Sequence, residues 1–143
     1  MIDGRAGQPP LDVDAIAFDL LTALVDSWSL WEDVAGEAEL GRRWRTASLR
    51  LVTAAGSYVP YEAMVREAAG EVGVPVERST QLLVRWGELR PWPEAPAVLE
   101  RLTGRRLAIV TNCSQQLAEI AARATGGAFE VVMSAERAGV YKI

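Results

Sequence analysis

The 143-residue chain contains no histidine, and it has a single cysteine and a single lysine. The absence of histidine excludes Ser-His and Cys-His catalysis and removes the commonest zinc ligand. The lone Cys113 cannot form a disulfide within the chain, and we expect it to fill a small apolar space. Any catalysis must therefore use carboxylates, arginine, the lysine or backbone amides.

Long apolar runs and excess positive charge are also missing. No stretch approaches the ~20 apolar residues that a membrane span needs, and the start, Met1 to Arg5, lacks the features of a signal peptide. The formal net charge is −4 and there is no basic stripe, so a nucleic-acid partner has little electrostatic support. The composition predicts a globular, cytoplasmic protein that binds neither nucleic acid nor a membrane.

A short apolar run, residues 15–18, leads directly into a carboxylate, Asp19. Open α/β folds place their chemistry at the carboxyl ends of buried parallel strands, because helices cover both faces of the sheet. Asp19 would be a nucleophile at such a strand end. The alternative is a turn residue that only ends the strand.

The chain divides into three parts. We expect residues 1–14, which contain glycines and prolines, to form a loose lead-in. Over residues 27–89 apolar side chains recur at three- and four-residue spacing, which predicts helices and little strand. Gly73 is predicted to end one of these helices and Ser79 to cap the next. The remaining residues alternate between helix and strand, which predicts a parallel sheet.

A second strand end carries small polar side chains. The alternating part is predicted to contain helices at 95–102 and 115–124 and strands at 107–110 and 129–133. The strand at 107–110 leads into Thr111 and Asn112, just before a helix N-terminus, which is a position that binds anions. The alternative is an ordinary N-cap formed by Asn112 or Ser114.

The only lysine follows the last predicted strand. Fourteen of the fifteen basic residues are arginine, and the exception is Lys142. A compact ammonium has properties that a planar guanidinium lacks, so this position suggests a specific requirement. The alternative is that the single lysine stands at this position by chance.

Three strand ends thus present Asp19, the pair Thr111 and Asn112, and Lys142. One shared site explains this recurrence more simply than three independent caps. The residues and their spacing resemble the haloacid dehalogenase superfamily. Its first motif is an Asp nucleophile after an apolar strand, its second is a Ser or Thr, and its third is a Lys.

Within that superfamily the chain most resembles the 2-haloacid dehalogenase branch. The predicted helices follow the first motif directly, carry the pair Trp44 and Arg45, and return to the sheet through residues 91–95. The resemblance spans nearly residues 14–142. It implies an α/β fold in which a Rossmann-like parallel sheet, itself incomplete, receives an inserted α-helical cap domain.

The implied domains are a core, with the first three strands, and a cap. Residues 1–26 and 91–143 would form the core, and residues 27–90 the cap. The family continues through two more strands and an acidic fourth motif that completes a magnesium site. The resemblance therefore implies no cofactor here, with Mg²⁺ only where that motif is supplied. It also leaves the first strand at an exposed edge, so we expect a truncated chain, or one that pairs with a second copy through this edge or the cap.

The resemblance implies a role for each matching residue. Asp19 would attack a carbon or phosphorus atom of a small anionic substrate, and Lys142 would hold Asp19 ionised and close. Thr111 and the Asn112 backbone would bind the carboxylate or phosphate oxygens of the substrate. Arg45 would receive the departing halide, and its alternative is a solvated helix arginine.

The first motif departs from the family pattern at Leu21. Phosphatases of this superfamily carry a second Asp there, which protonates the leaving alcohol, and its loss disfavours ordinary phosphatase activity. Halide leaves without a proton, so Leu21 is compatible with a substrate pocket for dehalogenation, although Thr22 and Ala23 also replace the usual Gly and Thr. We therefore expect a 2-haloacid dehalogenase-like hydrolase. The alternatives are a non-catalytic remnant or interaction module and a phosphatase of activated phosphates.

Overall fold

A computed structural model describes residues 12–143, so most of the predicted lead-in lies outside the described residues. Within them, three parallel strands form one sheet in the order β1-β2-β3. The strands are β1 (Ala15–Phe18), β2 (Arg106–Thr111) and β3 (Val131–Ser134). The predicted α/β fold is confirmed, with β2, the strand that has the most buried residues, in the centre.

Helices account for most of the remaining chain. They are α1 (Ser27–Ala35), α2 (Ala38–Ala55), α3 (Tyr61–Val72), α4 (Val76–Val84), a short 3-10 helix (Arg85–Glu88), α5 (Ala95–Arg101), α6 (Gln115–Ala124) and α7 (Ala135–Ala138). The first four and the 3-10 helix lie between β1 and β2, and we refer to residues 27–88 as the helical segment. The predicted run of helices after the first strand is therefore present.

Two predicted element starts are wrong by two or more residues, whereas the predicted end of α3 is confirmed. Helix α4 begins at Val76, immediately after Pro75, whose fixed φ suits a helix start, so Ser79 lies inside the helix with 0% exposure and does not cap it. Strand β3 begins at Val131 and not at Phe129, whose ring packs against the hydrophobic core instead. Gly73 ends α3 at a φ of 81°, as predicted.

One continuous hydrophobic core joins the sheet to the helical segment. Ile109 of β2 and Leu20 after β1 have 0% exposure, and so do Trp44 and Trp86 of the helical segment. Full burial of a large apolar side chain contributes roughly 1.5–3 kcal/mol, so this shared core fixes the helices against the sheet.

The chain leaves the sheet and returns to it along adjacent paths. The Asp26 amide donates to the Arg90 carbonyl at 2.8 Å, and the Trp92 amide donates to the Leu24 carbonyl at 2.9 Å. Both hydrogen bonds join the residues that follow the helical segment to the residues that follow β1, so the segment is anchored close to Asp19.

Strand β1 lies at one edge of the sheet that residues 12–143 form, as expected for the first strand. A mostly apolar groove of about 490 Å³ runs beside it, lined in part by Val13, Ile16 and Leu102. No helix in the described part of the chain is both long enough and apolar enough to cross a membrane.

Candidate active site

The predicted strand ends meet at one edge of the sheet. Asp19 directly follows β1 and Thr111 ends β2, and the parallel register of the two strands places both at the carboxyl edge. The Lys142 ammonium donates to Oδ1 of Asp19 at 2.8 Å and to the Val110 carbonyl at 2.8 Å. The second Asp19 oxygen, Oδ2, accepts no hydrogen bond from residues 12–143.

The ion pair between Asp19 and Lys142 contributes little to stability. The two side chains are 43% and 40% exposed. Exposed pairs typically stabilise a fold by ~0–1 kcal/mol, since water screens them and two side chains must be ordered. The stability of the fold therefore does not explain the pairing of the only lysine with this carboxylate.

Asn112 fixes the backbone that carries the lysine. Its Nδ2 donates to the Lys142 carbonyl at 2.8 Å, and its Oδ1 accepts from the Lys142 amide at 2.8 Å. The side-chain amide is thus engaged with the protein, and the substrate contact through the backbone of Asn112 stays a prediction. The two hydrogen bonds fix the Lys142 backbone and therefore the direction in which its side chain projects.

The segment before Lys142 is also bound to the loop between α2 and α3. The Tyr141 amide donates to the Gly56 carbonyl at 2.8 Å, and the Tyr58 amide donates to the Gly139 carbonyl at 3.0 Å. The Tyr141 hydroxyl donates to the Val59 carbonyl at 2.5 Å. These contacts hold Lys142 and the helical segment in a fixed relation.

Arg45 lies on the buried face of α2, together with Trp44, Ser48 and Val52. Its exposure is 3%, so the solvated alternative is wrong. Nε of Arg45 is buried and has no hydrogen-bond partner, and no carboxylate of the described residues forms an ion pair with the guanidinium. Burial lowers the pKa of Arg45, against a raising effect from Tyr61 and Asp19, but an arginine remains charged in proteins. The side chain is a buried cation without an acceptor.

Asp19, Arg45 and Lys142 line one pocket of about 110 Å³. This is room for roughly three or four water molecules at ~30 Å³ each. The six residues predicted to form the site all line it, namely Asp19, Leu21, Arg45, Thr111, Asn112 and Lys142. The remaining lining residues are Thr22, Leu49, Val52 and Tyr61. The pocket is small, carries both signs of charge and has an apolar wall.

The Thr111 hydroxyl is a second buried polar group available to a ligand. Its Oγ1 has no oxygen or nitrogen partner within residues 12–143, and the residue is 2% exposed. The neighbouring Cys113 thiol interacts with Thr111 but is only a weak donor and acceptor, so the hydroxyl lacks a strong partner. Burial raises the pKa of Cys113 to about 12, against a smaller lowering by Thr111, so the thiol is protonated at neutral pH. Cys113 packs in the core, as expected.

Four lining residues were not predicted. Leu49 and Val52 follow Arg45 by four and seven residues on α2, so helical spacing alone could have assigned them to the same face. Thr22 lies one residue after Leu21 in the turn that follows β1. Tyr61 reaches the pocket through the packing of α3 against α2, for which the sequence gives no local signal. Burial raises the pKa of Tyr61, so its hydroxyl stays protonated.

The residues present do not suit Mg²⁺. No group of three or more His, Cys, Asp or Glu side chains in residues 12–143 could hold a metal ion. Among residues 12–143, Asp19 is the only carboxylate that lines the pocket, and its Oδ1 is engaged by the ammonium of Lys142. Mg²⁺ usually requires further oxygen ligands, so this set of donors does not fit the ion.

No protein-family model and no curated protein matches the chain. Solved structures do. The L-2-haloacid dehalogenase from Xanthobacter autotrophicus with chloropropionic acid covalently bound superposes over 91% of this chain with a TM-score of 0.78, at 20% identity. The L-2-haloacid dehalogenase RSc1362 superposes over 91% with a TM-score of 0.73, at 28% identity.

The chain has the fold of the haloacid dehalogenase superfamily. It spans 60% of the Xanthobacter autotrophicus enzyme and 67% of RSc1362. A putative β-phosphoglucomutase from Thermotoga maritima is a weaker structural match, with a TM-score of 0.55 at 18% identity.

Proposed function

We propose that the chain is a hydrolase that removes halide from a small 2-halo carboxylate, with Asp19 as the nucleophile. The observation that carries this proposal is Arg45, a buried cation without an acceptor that shares a pocket with Asp19 and Lys142. Leaving a buried charge uncompensated costs a fold several kcal/mol, so such a group indicates a place for an anion. A leaving halide supplies that anion.

The free Oδ2 of Asp19 is the atom that attacks. A bond forms between Oδ2 and the substrate carbon while the bond from carbon to halogen breaks, and the halide departs with the electron pair. Water then attacks the carbonyl carbon of the resulting ester, which releases a 2-hydroxy acid and one proton and restores the carboxylate. Lys142, bound to Oδ1 at 2.8 Å, orients the carboxylate for the first step.

Arg45 and Thr111 each bind a different negatively charged part of the substrate. The Arg45 guanidinium stabilises the negative charge that develops on the halide, and water screens this interaction little because Arg45 is 3% exposed. The Thr111 hydroxyl, which is buried and lacks a strong partner, donates to the substrate carboxylate at the end of β2, the strand next to β1. A pocket of about 110 Å³ favours substrates of few carbon atoms.

Leu21 favours halide over an alcohol as the leaving group. The side chain is 8% exposed, lines the pocket and cannot donate a proton. An alkoxide that leaves without a general acid is slowed by typically 10²–10⁴-fold, whereas halide needs no proton. The covalently bound chloropropionic acid in the Xanthobacter autotrophicus structure supports the same covalent chemistry for this chain.

Chloride release from 2-chloropropionate tests the proposal. The parent chain is expected to release chloride, and Asp19→Asn is expected to release none. Asp26→Asn is the matched control, because Asp26 caps α1 seven residues away, and asparagine caps helices as well as aspartate does. A folded parent chain that releases no chloride contradicts the proposal, and phosphate release from acetyl phosphate by that chain would favour a phosphatase instead.

A further inference from the structure

Trp28 differs from the other tryptophans of the chain. Trp31, Trp44 and Trp86 have 0% exposure and belong to the hydrophobic core, and Trp92 packs against that core. Trp28 is half-buried, and it is not part of the core cluster that the described residues form. Core packing therefore does not explain a large aromatic side chain at this position.

The ring of Trp28 lies on the guanidinium of Arg45. Cζ of Arg45 is 4.5 Å from the centre of the Trp28 ring and 5.9 Å from that of Trp31. A cation over an aromatic face is attracted by the ring quadrupole, and tryptophan is the best such partner. The attraction is larger where the pair is desolvated, as it is for an arginine with 3% exposure.

A close approach of two helices creates this contact. A Cβ atom added at Gly41 would lie 2.4 Å from the Cα atom of Glu32, so only glycine lets α2 approach α1 this closely. Arg45 follows Gly41 by about one helical turn and therefore faces the first turns of α1, where Trp28 and Trp31 lie. The position of the guanidinium depends on this interface.

We propose that Trp28 is a positioning residue for the anion site. Its ring face holds the Arg45 guanidinium in place without accepting any of its hydrogen bonds. A carboxylate in the place of Trp28 would hold the arginine too, but it would occupy the same N–H groups and neutralise the charge. This inference rests on the proposed function of Arg45 as the receptor for halide, and it assigns to Trp28 the task of keeping that receptor free.

Chloride binding in the absence of substrate tests the inference. The ³⁵Cl line width of sodium chloride is measured by NMR as each variant is titrated into it, because exchange with a bound site broadens the line. The variants are Arg45→Gln, Trp28→Phe and Trp28→Leu. The parent chain is expected to broaden the line, and Arg45→Gln to remove the excess broadening. We expect about tenfold weaker chloride binding for Trp28→Leu, and for Trp28→Phe a value within about threefold of the parent.

The outcomes separate the two proposals. Broadening by Arg45→Gln equal to that of the parent would overturn the proposed function, because Arg45 would not be the anion receptor. If Arg45→Gln loses the excess broadening while Trp28→Leu binds chloride as the parent does, only the role of Trp28 would be overturned. Circular dichroism checks each fold. Should Trp28→Leu not fold, Trp28→Met, which fills space without a ring face, takes its place with the same expected tenfold weakening.

Discussion

The two cations of the pocket are held in opposite ways. Lys142 is 40% exposed, and its ammonium donates to a carboxylate and to a carbonyl group. Arg45 is 3% exposed, faces tryptophan rings and has no acceptor within residues 12–143. The lysine comes from the sheet side of the pocket and the arginine from the helical segment.

This difference indicates when each charge is used. The partner of Lys142 is present before any ligand arrives, so the lysine sets the geometry of Asp19 in the free protein. Under the proposed function, Arg45 gains its partner only when an anion enters, so its interaction would be made mainly with the ligand. Interactions that form as charge develops in the transition state raise the rate, whereas those already formed only prepare the site. Changes at the two cations should therefore affect stability and activity differently.

Removal of the nucleophile is expected to have the largest effect. Asp19→Asn should lower chloride release from 2-chloropropionate by a factor on the order of 10⁴ or more, because the amide cannot form the ester. Its thermal midpoint should stay close to that of the parent, since the exposed pair with Lys142 contributes ~0–1 kcal/mol. A loss of activity below tenfold, measured on a folded variant, would mean that another group attacks the substrate.

Removal of the buried cation should separate activity from stability. Arg45→Met is expected to lower kcat by about 10²–10³-fold, the usual effect of losing one group that stabilises developing charge. Its free energy of unfolding should equal or exceed that of the parent, because the substitution replaces an uncompensated buried charge with an apolar side chain of similar length. Urea denaturation measures this. A fall of several kcal/mol would show that Arg45 serves the fold.

Removal of the hydrogen bonds between Asn112 and the Lys142 backbone should have a smaller effect. Asn112→Ala removes both hydrogen bonds to Lys142, each of which contributes ~1 kcal/mol, and should lower kcat by about tenfold by loosening the position of the ammonium. Lys142→Met should reduce kcat by a smaller factor in the Asn112→Ala variant than in the parent chain, because the two residues act through one contact. Fully additive effects in this double-mutant cycle would contradict a positioning role for Asn112.

The smallest effect concerns Cys113 at high pH. Burial raises the pKa of its thiol from about 8.5 to about 12 in the folded chain. The folded state thus keeps a proton that the unfolded state loses, so this contribution to stability is present below about pH 8.5 and is lost as the pH rises toward 12. Cys113→Ala should show a shallower fall in the free energy of unfolding between pH 8.5 and 11. Equal slopes for the two chains would contradict a buried, protonated thiol.

The sequence predicts the sheet side of the pocket better than the helical side. Asp19 and Thr111 lie at the ends of predicted strands, and the carboxyl ends of parallel strands share one edge, so strand prediction alone brings these two together. Lys142 lies after α7, beyond the end of β3, and is held there by Asn112. Trp28 and Tyr61 depend on how α1 and α3 pack against α2. That packing is determined by tertiary contacts such as the approach at Gly41, which no local pattern describes. The resemblance to haloacid dehalogenases predicted that Arg45 belongs to the site, but it did not predict which residues surround it.

The error at Ser79 has a related cause. Serine is a good N-cap, and Pro75 is equally suited to a helix start, so the local signals at 75 and 79 compete. The structure places the start at Val76, which buries Ser79 against neighbouring helices. Competing local signals of this kind are decided by the tertiary fold.

The fate of solvent oxygen in a single turnover tests covalent catalysis by Asp19 most directly. An excess of the protein is mixed with 2-chloropropionate in H₂¹⁸O, and the peptide that contains Asp19 is examined by mass spectrometry together with the 2-hydroxy acid. An ester intermediate predicts ¹⁸O in Asp19 and an unlabelled hydroxyl group in the product, because water attacks the carbonyl carbon of the ester. A labelled product and an unlabelled Asp19 would show that water attacks the substrate directly, which would contradict the role given to this residue.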